Sequence, residues 1–327
     1  MVDSLGRTID YLRISVTDRC PARCVYCMPK TNADWIPHHE ILTFEEILRI
    51  AALMAELGVS KVKITGGEPL ARRGLVPFLR CLTGLHAFNW ISLTTNAILL
   101  GPLLEDLLDA GISALNISLD SLDRERYRRI TQSDMFDEAS TQLDRALAAP
   151  IPVKINCVPV QGCNEEDIVP LARLAEHNPI AVRFIELMPL GFARTLTPIT
   201  TAATAALIEK NCGTLHPLAQ VPGAGPAVYA AIDGFAGKIG FISPLSHTFC
   251  SSCSRLRLTS AGILRPCLAH ERGINLKAAL RGGASDNVLK DLICRAAAEK
   301  PAGHNFADFP AHDYGEKPAA IMNKIGG

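Results

Sequence analysis

The sequence alternates two kinds of segment from residue 9 to about residue 188: short runs rich in β-branched and aromatic residues, and longer runs with helical periodicity. Such alternation predicts parallel strands connected by crossover helices. Six strands are predicted, at residues 9–15, 61–65, 91–95, 114–119, 153–160 and 181–187. Because six βα units are too few to close an eight-stranded barrel, we predict an α/β fold built on a partial (β/α)6, TIM-like barrel.

Helix signals agree with this alternation. Thr43 and Glu46 have the three-residue spacing of a capping box, and Gly58 stands where the following helix should end. Pro102 opens another predicted helix, which ends near Gly111. Active sites of parallel α/β folds lie at the carboxyl ends of the strands, so we expect functional residues directly after the predicted strands.

The pattern changes past residue 195. Gly and Pro are frequent across residues 213–225, a strand is predicted at residues 238–243, and a cysteine-rich run extends from His247 to His270. We therefore predict two domains, a partial barrel in residues 1–195 and a smaller region in residues 196–327 that carries a site of its own.

Charge and composition argue against some classes of function. The 33 basic and 33 acidic residues give a net charge of zero, so no overall basic field attracts nucleic acid or an anionic membrane. The first ten residues lack the basic and apolar segments of a signal peptide, and no apolar stretch approaches the length of a bilayer span. We therefore expect a cytoplasmic protein without a membrane segment.

The chain has 11 cysteines, and six of them fall into two groups. Because the cytosol keeps thiols reduced, metal binding or catalysis is favoured over disulfides for cysteines that cluster. The isolated cysteines are predicted to be packing residues or incidental, since free cysteine behaves as a small hydrophobic residue. These are Cys81, Cys157, Cys163, Cys212 and Cys294.

The first group places Cys20, Cys24 and Cys27 within eight residues, directly after the first predicted strand. Three thiolates can hold three corners of a cubane iron–sulfur cluster and leave the fourth iron free for another ligand. The spacing leaves three alternatives open: a zinc site completed by His38 or His39, a redox dithiol, and a fragment of a disulfide framework.

A glycine pair follows the second predicted strand. Gly66 and Gly67 precede Glu68 and Pro69. Glycines expose backbone groups and allow a ligand to approach closely, although a tight strand-to-helix turn would use the same residues.

Cys250, Cys253 and Cys267 form the second group. Residues 255–265 alternate polar and apolar side chains about a turn at residues 260–262, which predicts a hairpin that returns Cys267 to Cys253. The converging thiols could hold another iron–sulfur cluster, or a zinc ion with His247 or His270 as a further ligand.

Arg255 and Arg257 lie beside this second group. They are two residues apart, so both side chains lie on the same face of the predicted strand. Two guanidinium groups there would form an anion site suited to a triphosphate, and a solvated strand face is the alternative.

Further motifs extend over nearly the whole chain. They are LRISVTDRC at 12–20, the three-cysteine loop with Met28 and Pro29, ITGGEP at 64–69, LTTN at 93–96, NISLD at 116–120, RFIE at 183–186 with Met188, FCSSCSRLR at 249–257 and IGG at 325–327. In this combination the sequence resembles the GTP 3′,8-cyclase family of molybdenum cofactor biosynthesis. That family belongs to the radical S-adenosylmethionine (SAM) superfamily, so the resemblance implies a partial barrel of the radical SAM type.

The resemblance also implies two [4Fe–4S] clusters and two sets of ligand contacts. The cluster that cleaves SAM would be held by Cys20, Cys24 and Cys27. The cluster that meets the guanine of GTP would be held by Cys250, Cys253 and Cys267. The positions that match SAM contacts are Tyr26, Gly67, Ser118 and Met188. The positions that match GTP contacts are Arg13, Lys63, Thr94, Lys154, Arg255 and Arg257.

Three details of the match concern single positions. Lys63 departs from the family, in which arginine is commoner; the charge is kept but bidentate geometry is lost. Lys154 lies near the start of its predicted strand, so the expectation that functional residues follow the carboxyl ends of strands does not explain its position. Gly326 and Gly327 match a tail that reaches into the active site, where glycine lets a backbone thread.

The implied reaction begins with reduction of SAM to methionine and a 5′-deoxyadenosyl radical. That radical removes the hydrogen from C3′ of GTP, and the C3′ radical attacks C8 of the guanine before a final reduction. The implied partners are GTP, a flavodoxin- or ferredoxin-like electron donor and the downstream cyclic pyranopterin monophosphate synthase, with a homodimer left open. Two rival functions also stay open: a radical SAM enzyme that modifies a peptide with an auxiliary cluster, and a non-catalytic zinc-binding module.

Overall fold

A computed structural model describes residues 1–29, 34–219, 225–304, 306 and 322–326 of the chain. Its centre is a single sheet of twelve strands. The strands are β1 (Tyr11–Ser15), β2 (Lys61–Thr65), β3 (Trp90–Thr95), β4 (Ala114–Ser118), β5 (Val153–Cys157), β6 (Ala181–Ile185), β7 (His216–Pro217), β8 (Val228–Ala231), β9 (Lys238–Ile242), β10 (Arg255–Leu258), β11 (Ile263–Arg265) and β12 (Ile274–Asn275).

The sheet is open and mostly parallel. Its strand order is β12-β11-β10-β1-β2-β3-β4-β5-β6-β9-β8-β7. The neighbours from β10 through β1 and β6 to β9 are parallel, and antiparallel strands extend both ends. Within the described residues no hydrogen-bonded ladder joins β12 to β7. The structure therefore confirms the predicted partial barrel.

All six predicted strands are present, some with shorter ends. β5 ends at Cys157 rather than at residue 160 because the next N–H leaves the ladder: Val158 donates to the Asp120 carboxylate over 2.8 Å. Pro159 then has no N–H to offer. β1 begins at Tyr11 rather than at residue 9.

The strand predicted at residues 238–243 lies in the main sheet. It forms β9, which pairs in parallel with β6, while β10 pairs in parallel with β1. Strands from the second half of the chain therefore flank β1–β6 on both edges. The division into residues 1–195 and 196–327 stays a prediction.

The described part of the chain also contains ten α-helices. They are α1 (Phe44–Glu56), α2 (Leu75–Gly84), α3 (Leu104–Asp109), α4 (Arg124–Thr131), α5 (Phe136–Ala148), α6 (Ile168–His177), α7 (Thr201–Cys212), α8 (Leu276–Arg281), α9 (Asp286–Ala298) and α10 (Met322–Ile325). Among the described helices, none is both long enough and apolar enough to cross a bilayer.

The predicted helix signals are confirmed. The Thr43 hydroxyl accepts the Glu46 N–H over 3.2 Å, and the Glu46 carboxylate accepts the Thr43 N–H over 2.7 Å, so α1 begins with a capping box. Gly58 and Gly111 follow α1 and α3 with φ values of 92° and 77°, in the left-handed region that glycine tolerates. Pro102 lies in the 3-10 turn that leads into α3.

The strands present two chemically different faces. On β1, Leu12 and Ile14 are fully buried in the core that the sheet shares with the helices, whereas Arg13 between them lines a cavity on the inner face. On β2, Ile64 lies in the same core and Lys63 in the same cavity. Because side chains alternate along a strand, the polar groups of these strands lie together on the inner face of the sheet.

We expect Thr43→Ala to destabilise the protein, because it removes the side chain that caps the first turn of α1. The free energy of unfolding should fall by about 1 kcal/mol, measured as a lower midpoint of chemical denaturation. Thr8→Ala, at an exposed threonine in the N-terminal bridge, is the matched control and should leave the midpoint unchanged. Equal midpoints for Thr43→Ala and the parent chain would contradict the contribution of this cap.

Candidate active site

The inner face of the sheet lines a cavity that both groups of cysteines reach. Cys20, Cys24 and Cys27 line it after β1. Cys250, Cys253 and Cys267 line it around β10 and β11. Two sites that are far apart in the sequence therefore open into one space.

The first three cysteines lie on a loop that backbone hydrogen bonds hold in place. The Cys27 N–H donates to the Cys24 carbonyl over 2.8 Å, and the N–H groups of Arg23 and Val25 donate to carbonyls of α4. All three thiols are half-buried and free of disulfides. The loop thus holds three sulfur atoms at the wall of the cavity.

Burial dominates the chemistry of these thiols. It raises the pKa of Cys20 and of Cys27 to about 12, and it raises the pKa of Cys24 well above the ordinary value. Buried thiols of this kind keep their protons until a metal replaces them, because metal ligands must be thiolates. The donor set therefore fits three corners of an iron–sulfur cluster, with the cavity in front of it for a further ligand.

Gly67 packs directly against this loop. Its N–H donates to the Thr17 carbonyl over 2.6 Å, and a Cβ at this position would lie 2.4 Å from the Arg19 carbonyl oxygen and 2.5 Å from that of Asp18. No side chain fits there without displacing backbone. The glycine pair after β2 therefore lets the cysteine loop approach the end of the sheet.

Glu68 ties the ends of β2 and β3 to the first cysteine. It is 1% exposed, and its carboxylate accepts the Thr95 hydroxyl and the Asn96 N–H, both over 2.8 Å. Burial raises its pKa to about 7. The Asn96 amide donates to the Cys20 Sγ over 3.5 Å, so this network orients one cysteine of the loop.

The other residues predicted to contact SAM also line the cavity. Tyr26 donates its hydroxyl to Asp120, Ser118 ends β4, and Met188 packs with Cys267 beside a small apolar cluster. Burial raises the pKa of Asp120 to about 6. Sequence reasoning did not single out Asp120 as a site residue, although it follows β4 closely in the NISLD motif.

The predicted hairpin of the second group is confirmed. β10 and β11 are antiparallel, and the register that pairs Arg257 with Arg265 brings Cys267 back beside Arg255. Gly262, with φ of 82°, lies in the turn. Cys253 follows a 3-10 turn that contains Cys250. The hairpin thus gathers the three thiols of this group at one part of the cavity wall.

The surroundings of Cys253 differ from those of the first loop. Burial would raise its pKa, but the nearby Arg255 and Lys300 outweigh burial and lower the pKa to about 6. The two candidate histidines have partners elsewhere, since His270 approaches the Gly303 carbonyl and His247 the Ser246 hydroxyl. Across the residues that the structure describes, no three His, Cys, Asp or Glu side chains are grouped as ligands of a single metal ion.

A row of cations crosses three neighbouring strands. Arg13 on β1 is the register partner of Arg257 on β10 and of Lys63 on β2. Burial lowers the pKa of Arg13 to about 10, and it lowers the pKa of Lys63 well below the ordinary value, with neighbouring cations acting in the same direction. Burial and like charges thus act together against the charged forms of these two side chains.

The cavity wall carries an excess of positive charge. Seven Lys and Arg side chains line it: Arg13, Lys63, Lys154, Arg183, Arg255, Arg257 and Lys300. The carboxylates among its described lining residues are Glu68 and Asp120, which lie near the first cysteine loop. Away from that loop the wall is therefore suited to a polyanion.

The place of Lys154 follows from the register. It pairs with Asn116, which pairs with Thr94, so one row runs across β3, β4 and β5. Arg183 on β6 was part of a quoted motif without a predicted role. It donates to Asn116 over 2.7 Å and to Asn156 over 2.8 Å, and thus fixes this wall.

Thr94 has a hydroxyl that is buried in the cavity wall. Its oxygen and that of Ser92, two residues earlier on the same face, form no hydrogen bond within the described residues. A buried hydroxyl without a partner costs free energy, so a ligand in the cavity would satisfy both.

The C-terminal segment reaches this cavity. The Gly326 carbonyl accepts a hydrogen bond from the Arg257 Nη1 over 3.0 Å. The φ angle of Gly326 is 73°, in the left-handed region. A Cβ on Gly326 would lie 2.9 Å from the Ser15 Cβ, so a glycine is required there. Gly327 lies outside the described residues.

Comparisons with known proteins agree with this architecture. Residues 14–175 match the Radical SAM superfamily, and residues 180–306 match Molybdenum Cofactor Synthesis C. The chain is similar to Streptococcus suis SuiB bound to S-adenosylmethionine, with a TM-score of 0.55 and 16% identity over 88% of this chain and 68% of that chain. For SuiB bound to its precursor peptide SuiA, the TM-score is 0.60 and the identity 15%, over 91% and 66%. At such low sequence identities, these two similarities establish the fold and nothing about function.

The open parallel sheet, with three cysteines on the loop after its first strand, defines a radical SAM enzyme. Similar curated proteins identify the family within this class. A GTP 3′,8-cyclase of Clostridium perfringens is 42% identical over 306 residues, which are 94% of this chain and 95% of the relative. That of Heliobacterium modesticaldum is 42% identical over the whole of both chains. The chain belongs to the GTP 3′,8-cyclase family, whose members use [4Fe–4S] clusters and SAM.

We expect Gly67→Ala to disrupt the first cysteine loop, because the added Cβ would collide with the backbone at Asp18 and Arg19. Iron retained per chain after anaerobic reconstitution should fall, and reductive cleavage of SAM should be lost. Gly84→Ala, where a Cβ meets no atom within 4 Å, is the matched control and should keep both. Full iron content and SAM cleavage in Gly67→Ala would contradict the close packing described for this loop.

Proposed function

We propose that the protein converts GTP to (8S)-3′,8-cyclo-7,8-dihydroguanosine 5′-triphosphate, the first step of molybdenum cofactor biosynthesis. Relatives that match almost all of the chain carry this activity in their name. The observation that carries the proposal is one cavity lined by both groups of cysteines and by seven cationic side chains. A nucleoside triphosphate is the kind of ligand that such a wall binds.

Cys20, Cys24 and Cys27 are the proposed ligands of the first [4Fe–4S] cluster. When bound, this cluster and SAM supply the one-electron cleavage that yields a 5′-deoxyadenosyl radical. Gly67, which lines the cavity after β2, would contact SAM. Tyr26, which Asp120 orients, and the side chains of Ser118 and Met188 would complete the SAM site.

The cations of the wall are the proposed site of GTP. Arg13, Lys63 and Arg257 would bind the triphosphate, since they stand in one row across three strands. Arg255, Lys154 and Thr94 would complete the contacts. Lys63 would act as a point charge, without the bidentate geometry of an arginine.

Cys250, Cys253 and Cys267 are the proposed ligands of the second [4Fe–4S] cluster, beside the guanine. Fixing both ends of GTP orients C3′ and excludes water, which is the contribution a protein makes to radical chemistry. Gly326 would bring the C-terminal segment to the bound GTP, because its carbonyl already contacts Arg257. The catalytic role expected for Gly327 stays a prediction.

Some further aspects of the proposal rest on the family resemblance. A flavodoxin- or ferredoxin-like protein would supply the electrons, and a cyclic pyranopterin monophosphate synthase would consume the product, in the cytoplasm. Residues 1–195 would carry the SAM site, and residues 196–327 the second cluster and much of the GTP site. Assembly as a homodimer belongs to the same proposal.

An anaerobic assay of the reconstituted protein with SAM, GTP and a reductant tests the function. We expect GTP to be consumed in step with 5′-deoxyadenosine formation, and about eight irons per chain for two [4Fe–4S] clusters. 5′-Deoxyadenosine without loss of GTP would favour a peptide substrate instead. Zinc without iron would overturn the proposal in favour of a zinc-binding module.

We expect Arg257→Ala to weaken GTP binding, because it removes a buried guanidinium from the cavity wall. A hydrogen bond to a charged group contributes about 1.5–3 kcal/mol, so the Kd should rise roughly 10- to 100-fold in calorimetric titrations. Arg257→Lys keeps the positive charge, so its Kd for GTP should rise less than that of Arg257→Ala. Arg49→Ala, at an exposed arginine of α1 paired with Asp286, is the control.

Reductive cleavage of SAM should persist in Arg257→Ala, since Arg257 lies outside the first cysteine loop. An unchanged Kd for GTP would remove the evidence for the anion site. Loss of SAM cleavage in this variant would show that Arg257 serves the first cluster instead.

A further inference from the structure

Lys300 is a buried lysine that faces the second group of cysteines. It is 5% exposed and lines the cavity. Its Nζ donates to the carbonyl oxygens of Arg255 over 2.8 Å and of Pro266 over 2.7 Å. An ammonium group has three donor hydrogens, so within the described residues these two carbonyls leave one N–H for an acceptor in the cavity.

The partners of Lys300 belong to both arms of the hairpin. Arg255 begins β10 two residues after Cys253, and Pro266 directly precedes Cys267. One ammonium group therefore connects the segment that carries Cys253 to the segment that carries Cys267.

The third cysteine of the group is attached to the same scaffold through Arg7. Its guanidinium donates to the carbonyl of Cys250 over 2.8 Å and to the carbonyl of Lys300 over 3.1 Å. Its Nε lies 2.5 Å from the Asp3 carboxylate, and both side chains are buried. The backbone that presents Lys300 is thus held in a fixed position relative to Cys250.

The buried ammonium group of Lys300 needs a counter-charge. Burying an ammonium group is costly unless it is hydrogen-bonded and has a counter-charge. The hydrogen-bonding partners of Lys300 in the described structure include no carboxylate, and Cys253 and Cys267 line the same cavity. Thiolates at these two cysteines would provide the counter-charge.

We propose that Lys300 is a positioning residue for the second iron–sulfur cluster, which aligns Cys253 with Cys267 and donates an N–H···S hydrogen bond to the Cys253 sulfur. The inference rests on the proposed function only in taking these cysteines as cluster ligands. Hydrogen bonds to the sulfurs and net charge set the reduction potential of such clusters. A fixed ammonium group stabilises the more negative, reduced state and therefore raises the potential.

The test uses the full-length chain with Cys20, Cys24 and Cys27 replaced by Ala, so that the second cluster alone contributes a signal. In this background we expect Lys300→Met to shift the midpoint potential of the cluster to a more negative value in titrations monitored by electron paramagnetic resonance. Iron release to a chelator should become several-fold faster. Lys300→Arg keeps the charge and should show the smaller change.

Lys290→Met is the matched control, because Lys290 lies on α9 and pairs with Glu56 away from the cysteines. Should Lys300→Met fail to fold, the comparison of Lys300→Gln with Lys300→Arg gives the same test. A midpoint potential and an iron-release rate equal to those of the Lys290→Met control would overturn the proposal. Failure of the parent chain to consume GTP would overturn the proposed activity without affecting this comparison.

Discussion

The parallel pairing of β1 with β10 brings together parts of the chain that lie far apart in the sequence. Its register sets Arg13 beside Arg257. The cysteine loop that follows β1 and the hairpin that begins at Arg255 reach the same cavity because these two strands are neighbours. Without this pairing the row of cations would be interrupted, and the two groups of cysteines would not share a wall.

Local signals in the sequence predicted those parts of the structure that depend on near neighbours. The alternating segments gave β1–β6, the spacing of Thr43 and Glu46 identified the start of α1, and the polar–apolar alternation after Arg255 identified the hairpin. Each of these features is formed by residues close in sequence, so its pattern can be recognised without knowledge of the rest of the fold.

Contacts between residues far apart in the sequence could not be predicted from such local signals. Nothing in residues 238–242 themselves indicates that β9 pairs with β6, because the pairing of parallel strands depends on how the entire sheet is assembled. Asp120 and Arg183 were visible in motifs, but their roles depend on Tyr26 and on the two asparagines that only the fold brings near. Lys300 belongs to none of the sequence motifs, and its significance comes from the two carbonyl groups that it connects.

The inward-facing cations have a thermodynamic consequence. The net charge of the chain is zero, yet seven basic side chains line the cavity, and at Lys63 and Arg257 burial and neighbouring cations oppose the charged form. A polyanion that enters the cavity relieves this repulsion in the folded state, whereas the unfolded chain gains little from it. The nucleotide would therefore act as a counterion of the fold as well as a reactant, and the resistance of the chain to unfolding would depend on its concentration.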